Sequence, residues 1–313
     1  MASRVIICFY KSTSKMLLFL IVSMPFLACK NSNFYNSNVT PIYTSIQSGM
    51  DTFEIQRFSD GNPNNELITY YTYQPNKADK AMSILFVMHG KDRNAMDYLD
   101  AWKGFADSNN FIIIAPEFPE IITDETFDYQ EGNVWNKHHE WNEKKDWAFT
   151  TIERIFDDVK QKNAFVADSF YIFGHSAGAQ FVHRMVTFLP ESRVKVAIAA
   201  NAGWYTFPNF EVEFPYGLLN TSLNMETLPQ ILKKKLFVLL GENDTSTTFL
   251  RETEKANNQG KNRLKRGENY YKAGLDEADS LKCTFNWEKT IIDDADHNYI
   301  IMSKAAQAII SSL

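Results

Sequence analysis

Ser176, flanked by small residues in Gly174-His175-Ser176-Ala177-Gly178, is the side chain of this sequence best placed to act as a nucleophile. A serine hydroxyl attacks only when a general base takes its proton and a carboxylate orients that base. The spacing predicts a strand ending before the pentapeptide and a helix starting at Ala177. That context is a nucleophile elbow: the glycines two places either side let strand and helix backbones approach, and the helix N-terminus favours a developing oxyanion. Without that context the pentapeptide is weak evidence, because small residues gather in turns for structural reasons alone.

Partners follow downstream in the order acid, then histidine. Asp244, in Gly241-Glu242-Asn243-Asp244, comes just after an apolar run at 236 to 240, and His297, in Asp296-His297-Asn298, just after a run at 284 to 292. The other histidine beyond Ser176, His183, lies two turns along the helix that starts at Ala177 and points away from the elbow. Asp244 has rivals in Glu242, two residues earlier, and in Asp293, Asp294 and Asp296, the last three read as shaping or solvating the histidine loop. His89-Gly90 ends the apolar run 83 to 88, where such enzymes build half of an oxyanion hole, so the backbone N–H groups of Lys91 and Ala177 are the expected donors. His89 would stabilise that turn and, with Trp204 and Tyr205, is a candidate for the substrate pocket. His175 reads as an elbow-packing residue. The chemistry is acyl transfer on a small-molecule or oligomeric ester, and it needs no cofactor.

The elements that must position these residues alternate short β-rich runs with longer helical ones. Strands are expected at 53 to 58, 67 to 73, 83 to 88, 111 to 115, 170 to 173, 194 to 200, 236 to 240 and 284 to 292. Helices are expected at 95 to 109, 146 to 162, 177 to 189 and 299 to 310, with a mixed stretch from 245 to 281. The pattern is α/β, with a mostly parallel central sheet after an antiparallel start and helices on both faces. Residues 117–145 and 201–229 lack a period and read as two lid-like insertions in a single domain spanning 51–313. The aromatics from Trp204 to Tyr216 fit either a pocket or a lid with its own small core, and Trp135, Trp141 and Trp147 could wall the cleft.

The 313 residues carry 44% hydrophobic and 22% charged side chains and a formal charge of -6, an ordinary globular balance with no basic stripe, which excludes a nucleic-acid partner. His138, His139 and Glu140 are adjacent rather than spaced and have no third ligand, so no metal is expected. The cationic stretch Lys261, Arg263, Lys265 and Arg266 reads as solvated or paired with acids, with an anion clamp as the alternative. No phosphate loop is present, because the Gly90 region lacks the required glycine spacing and Lys-Ser/Thr pair.

The first 28 residues carry Arg4, Lys11 and Lys15, no acid, and an apolar run from Met16 to Phe26 too short to span a bilayer, as in an export signal. Phe26-Leu27-Ala28-Cys29 resembles a bacterial lipobox, which implies a lipid anchor on Cys29, a membrane partner through that lipid, and export to the periplasm or cell surface; Met16 is an alternative start. With the three cations of that segment removed, the formal charge of -6 becomes -9, and Cys283 is the one cysteine beyond Cys29. Residues 29–50 read as a flexible tether.

From about residue 83 to its end the chain resembles secreted α/β-hydrolases of the polyhydroxyalkanoate-depolymerase-like and feruloyl-esterase-like group. The marks are Met88-His89-Gly90, the elbow running on through Gln180-Phe181-Val182-His183-Arg184, the segment Asn201-Ala202-Gly203-Trp204-Tyr205, and the acid and histidine loops. The resemblance implies an α/β-hydrolase fold and a Ser176, Asp244, His297 triad acting on esters. The disulfides common in extracellular depolymerases are missing and no separate polymer-binding module is read, which argues against a solid polymer. Two alternatives stay open: a peptidase or amidase with the same triad, and a non-catalytic lipoprotein that binds through the hydrolase shell.

Overall fold

The computed structural model describes residues 45–62, 65–77, 79–120 and 123–313. The export segment and Cys29 lie outside the described residues. The chain opens with β1 (Gly49–Gln56), β2 (Leu67–Gln74), β3 (Ser83–Met88), α1 (Ala95–Asp100), α2 (Lys103–Asn109) and β4 (Phe111–Pro116). After an excursion come α3 (Ala148–Asn163), β5 (Phe170–His175), α4 (Ala177–Phe188) and β6 (Val194–Ala200). A second excursion leads to α5 (Leu228–Leu232), β7 (Leu236–Gly241), α6 (Glu254–Gln259), α7 (Arg263–Leu281), β8 (Trp287–Ile292) and α8 (Tyr299–Ser311).

The strands form one sheet in the order β1-β2-β4-β3-β5-β6-β7-β8. Its first two pairings, β1 with β2 and β2 with β4, are antiparallel, and the others are parallel. Parallel strands need both faces covered, and β3 to β7 are accordingly apolar on nearly every residue. Ile84, Phe86 and Met88 pack on one side with Phe149, Ile152, Phe181 and Tyr270 of α3, α4 and α7. Leu85 and Val87 pack on the other with Leu99, Phe105 and Met302 of α1, α2 and α8. Alternation along one strand thus supplies both cores. Among the described residues no helix is long and apolar enough to cross a membrane.

Two elements differ from the sequence reading. The helix expected over 95 to 109 is two short helices: the turn tightens between them, with Trp102 N–H bonded to Leu99 O three residues back at 2.9 Å, and the Trp102 side chain is fully buried against Phe105 and Phe173. Tertiary packing of one large indole overrides local periodicity there. Residues 46 to 50, read as the end of a tether, belong to the folded domain instead: Ile46 is buried, its N–H donates to Asn163 Oδ1 at 2.8 Å, and β1 begins at Gly49. The two excursions stand where insertions were expected. The first contains a π-helical turn, Glu125–Gln130, capped by the Asp124 carboxylate, which accepts the N–H groups of Thr126 and Phe127.

Candidate active site

Ser176 lies between β5 and α4 with φ 56° and ψ -114°, a left-handed conformation that a non-glycine residue holds only under constraint. The constraint comes from the neighbours. A Cβ on Gly174 would overlap the Gly178 carbonyl, and one on Gly178 would overlap the Met88 carbonyl, so strand, turn and helix meet backbone to backbone. Ser176 N–H donates to Ala200 O at 2.9 Å, which fastens the turn to β6.

His297 and Asp244 converge on this serine. Ser176 Oγ lies 3.0 Å from His297 Nε2, and His297 Nδ1 lies 2.7 Å from Asp244 Oδ2. The Asp244 side chain is 1% exposed and that of His297 33%. Gly241 makes the convergence possible: a Cβ there would stand 2.6 Å from Ala295 O and 2.9 Å from Asp296 O, so the acid and histidine loops touch through bare backbone. Asn201 ties them further. Its Oδ1 accepts the Gly241 N–H at 2.8 Å and its Nδ2 donates to Asp296 O at 3.1 Å. The sequence marked the Asn201 segment only through resemblance; its role comes from φ 52°, which points the amide between two distant loops.

The rival acids are elsewhere. Glu242 accepts the Asp294 N–H, and Asp293, Asp294 and Asp296 are not in the hydrogen-bonded line to Ser176. His183 is fully buried, with Nδ1 donating to Ala179 O and Nε2 accepting from Thr206 N–H, away from the elbow.

Lys91 and Ala177 both border the cleft beside Ser176, and neither backbone N–H has a partner among the described residues. Gly90 brings the first of them close, since a Cβ on it would stand 4.0 Å from Ser176 Cβ. The three residues read as pocket walls divide. Trp204 lines the cleft. His89 does not: it is fully buried, with Nδ1 on Gly90 O at 2.8 Å, Nε2 accepting from Phe118 N–H at 3.1 Å, and the ring stacked on Tyr129. It is a turn-stabilising residue, kept neutral because burial lowers its pKa to about 3. Tyr205 also leaves the wall, being fully buried and stacked on Tyr270 at 4.5 Å.

The cleft measures about 820 Å³. Around Ser176 it presents Gln180, Phe249, Leu250 and three cations, Lys91, Arg251 and Arg263, against one acid, Asp92. Trp204 sits between two guanidinium groups, with Arg184 Cζ 4.0 Å and Arg251 Cζ 4.6 Å from the ring centroid. The basic stretch read as solvated or paired with acids divides: Lys261 and Lys265 are exposed, while Arg263, which faces Asp244, and Arg266 are buried. Their three-residue spacing puts the two arginines on one face of α7. Arg263 stands 3.6 Å from Asp244 Oδ1 and donates to Ser246 O and Thr248 O, and Arg266 donates to Gly203 O, Gly260 O and Arg251 O. A second cavity of about 410 Å³, bordered by Trp135, Trp141, Phe214 and Tyr216, adjoins through Arg251. Trp147 is in the core instead. Among the described residues no three His, Cys, Asp or Glu side chains gather as metal ligands.

An eight-stranded, mostly parallel sheet with helices on both faces and a strained serine elbow defines an α/β-hydrolase. No family model and no curated protein matches the sequence. Solved structures do. Poly(aspartic acid) hydrolase-1 from Sphingomonas sp. KT-1 is 34% identical with a TM-score of 0.80, over 85% of this chain and 100% of that one. LpqC, a poly(3-hydroxybutyrate) depolymerase from Bordetella parapertussis, is 28% identical with a TM-score of 0.79, over 84% of this chain and 90% of that one. An S-formylglutathione hydrolase from Agrobacterium tumefaciens, 15% identical with a TM-score of 0.53 over 86% of this chain and 96% of its own, shares the fold. The chain belongs to the depolymerase-like α/β-hydrolase family of the first two and is a hydrolase.

Proposed function

We propose that the protein hydrolyses carboxylic esters through an acyl-enzyme on Ser176. The observation that carries this reading is the hydrogen-bonded line from Ser176 Oγ through the His297 ring to the buried Asp244 carboxylate. The hydroxyl attacks the ester carbonyl carbon while its proton passes to His297 Nε2, and Asp244 holds the Nδ1 proton and stabilises the imidazolium. The N–H groups of Lys91 and Ala177 receive the carbonyl oxygen as it becomes an oxyanion, an effect typically of about 3 to 4 kcal/mol per donor. The tetrahedral adduct collapses, the alcohol leaves with the proton from His297, and water deprotonated by His297 then releases the acid and restores Ser176. The scheme calls on no cofactor.

A fluorophosphonate probe tests the assignment. Ser176 is expected to be labelled in the wild-type protein, and Ser176→Ala is expected to abolish both labelling and hydrolysis of a short-chain aryl ester. Folded wild-type protein that takes no label would instead fit a binding lipoprotein.

Cleavage of amide bonds in an acidic polymer is the second reading. It is favoured by Lys91 and Arg251 on the cleft wall and by the name of the 34% identical relative. Rates on poly(aspartic acid) and on an ester of equal charge separate the two. For the N-terminal segment we propose export and lipidation at Cys29, tested by incorporation of labelled palmitate in the wild type and its loss in Cys29→Ser.

A further inference from the structure

We propose that Tyr98 and His175 form a positioning pair that holds the Gly90-Lys91 loop in register with the serine elbow and His297, so that the oxyanion donors are aimed before substrate arrives. The inference rests on Ser176 being the nucleophile.

Tyr98, from α1, is buried and places its hydroxyl 3.0 Å from His175 Nδ1, next to Ser176 in sequence. The same oxygen would stand 2.8 Å from a Cβ on Gly90, so the phenol lies against the Gly90 backbone. Burial pushes the phenol's pKa up and the His175 imidazole's well down, the latter helped by the charges of His297 and Arg263, so the pair is a neutral phenol and a neutral imidazole. Either the phenol donates to Nδ1 or Nδ1–H donates to the phenol oxygen, and both tautomers keep the contact. The arrangement extends to the base: the His175 ring lies 4.6 Å from that of His297, and the Tyr98 ring stacks at 4.5 Å on Tyr299, two residues beyond His297. One phenol therefore touches the loops that carry the oxyanion donor, the nucleophile and the base.

Tyr98→Phe keeps the ring stack and removes the hydroxyl. Aryl-ester kcat is expected to fall about tenfold as the oxyanion donors lose their aim, with KM within about twofold. Affinity for a trifluoromethyl ketone, whose adduct with Ser176 bears the oxyanion, should weaken by the same factor. His175→Leu should match Tyr98→Phe, the double variant should be no worse than either single, and His175→Asn, whose Oδ1 can accept the phenol proton, should recover most of the rate. Wild-type kcat in Tyr98→Phe, a loss confined to KM, or equal losses in His175→Leu and His175→Asn would overturn the proposal. If Tyr98→Phe does not fold, the two His175 variants decide. Fluorophosphonate labelling of the wild-type serine separates this failure from that of the nucleophile assignment.

Discussion

Asp244 and Arg263 stand 3.6 Å apart, carboxylate oxygen to guanidinium nitrogen, with side chains only 1% and 5% exposed. His297 occupies the other carboxylate oxygen, so Arg263 is the charge that balances Asp244 from behind. It also fixes the loop from Ser246 to Thr248 by two hydrogen bonds. Arg263→Met is expected to leave a buried charge without its partner and to lower stability by about 3 kcal/mol, with kcat falling at least tenfold. Urea unfolding at pH 7.5 and steady-state rates check this. Arg263→Lys, which keeps the charge but not both carbonyl bonds, should fall between.

Contact between the acid and histidine loops depends on the missing side chain at Gly241. Gly241→Ala is expected to displace the histidine loop away from Ser176, and a shift of about 1 Å in a reacting group commonly costs on the order of a hundredfold in rate. Asn201→Ala removes two of the bonds between the loops without a clash and should cost less, about tenfold. Comparing kcat for the two variants, with melting temperatures to show both fold, orders them.

Acid should weaken the fold well before its carboxylates titrate. His89, His175 and His183 are buried and neutral, their pKa values lowered by burial, to about 3 for His89. As pH falls below the unfolded value near 6.5, the unfolded chain takes up protons that the native state refuses, so stability is present above 6.5 and is lost on the way down toward the folded values. At pH 5.5 each such histidine costs about 1.4 kcal/mol, or about 4 kcal/mol for the three. Urea midpoints at pH 7.5 and 5.5 measure the difference, and stability that did not change over that range would refute it.

Arg251 is predicted to read charge on the substrate. Its guanidinium lies over Trp204 and 5.6 Å from the Tyr216 centroid, lines both cavities, and shares the cleft with Lys91 and Arg263. Arg251→Ala should raise KM about tenfold for aryl esters with a carboxylate on the acyl chain and less than twofold for neutral ones of equal length. Equal effects on both series would remove the charge-reading role.

The fold, and the convergence of Asp244 and His297 on Ser176, were legible because their signals are local. Apolar runs marked β3, β6 and β7 almost to the residue, and small neighbours around Ser176, with Asp244 and His297 following strands in the required order, marked the site. What could not be read depends on contacts distant in sequence. The break at Trp102 comes from packing on Phe173, the burial of Arg263 from Asp244, and the coupling role of Asn201 from two loops 40 and 95 residues away. His89 stabilises its turn as expected, but it and Tyr205 were also placed in the pocket because they neighbour residues that do face it, whereas a residue beside a strand end points inward as readily as outward. Tyr98 gave no signal, since a tyrosine on an amphipathic helix looks like core until its hydroxyl is seen to have a partner.

The residues that would do the chemistry hang from the ends of β5, β7 and β8 and are joined through glycine backbones, while Trp204, Thr126, Gln130 and Arg251 reach the cleft from the excursions and the loop after β7. Reaction and recognition therefore draw mostly on different stretches of chain, but the excursions also brace the frame, through Phe118 and Tyr129 on His89 and through Asn201 on the acid and histidine loops. A chimera that borrows another hydrolase's selectivity must keep those three residues.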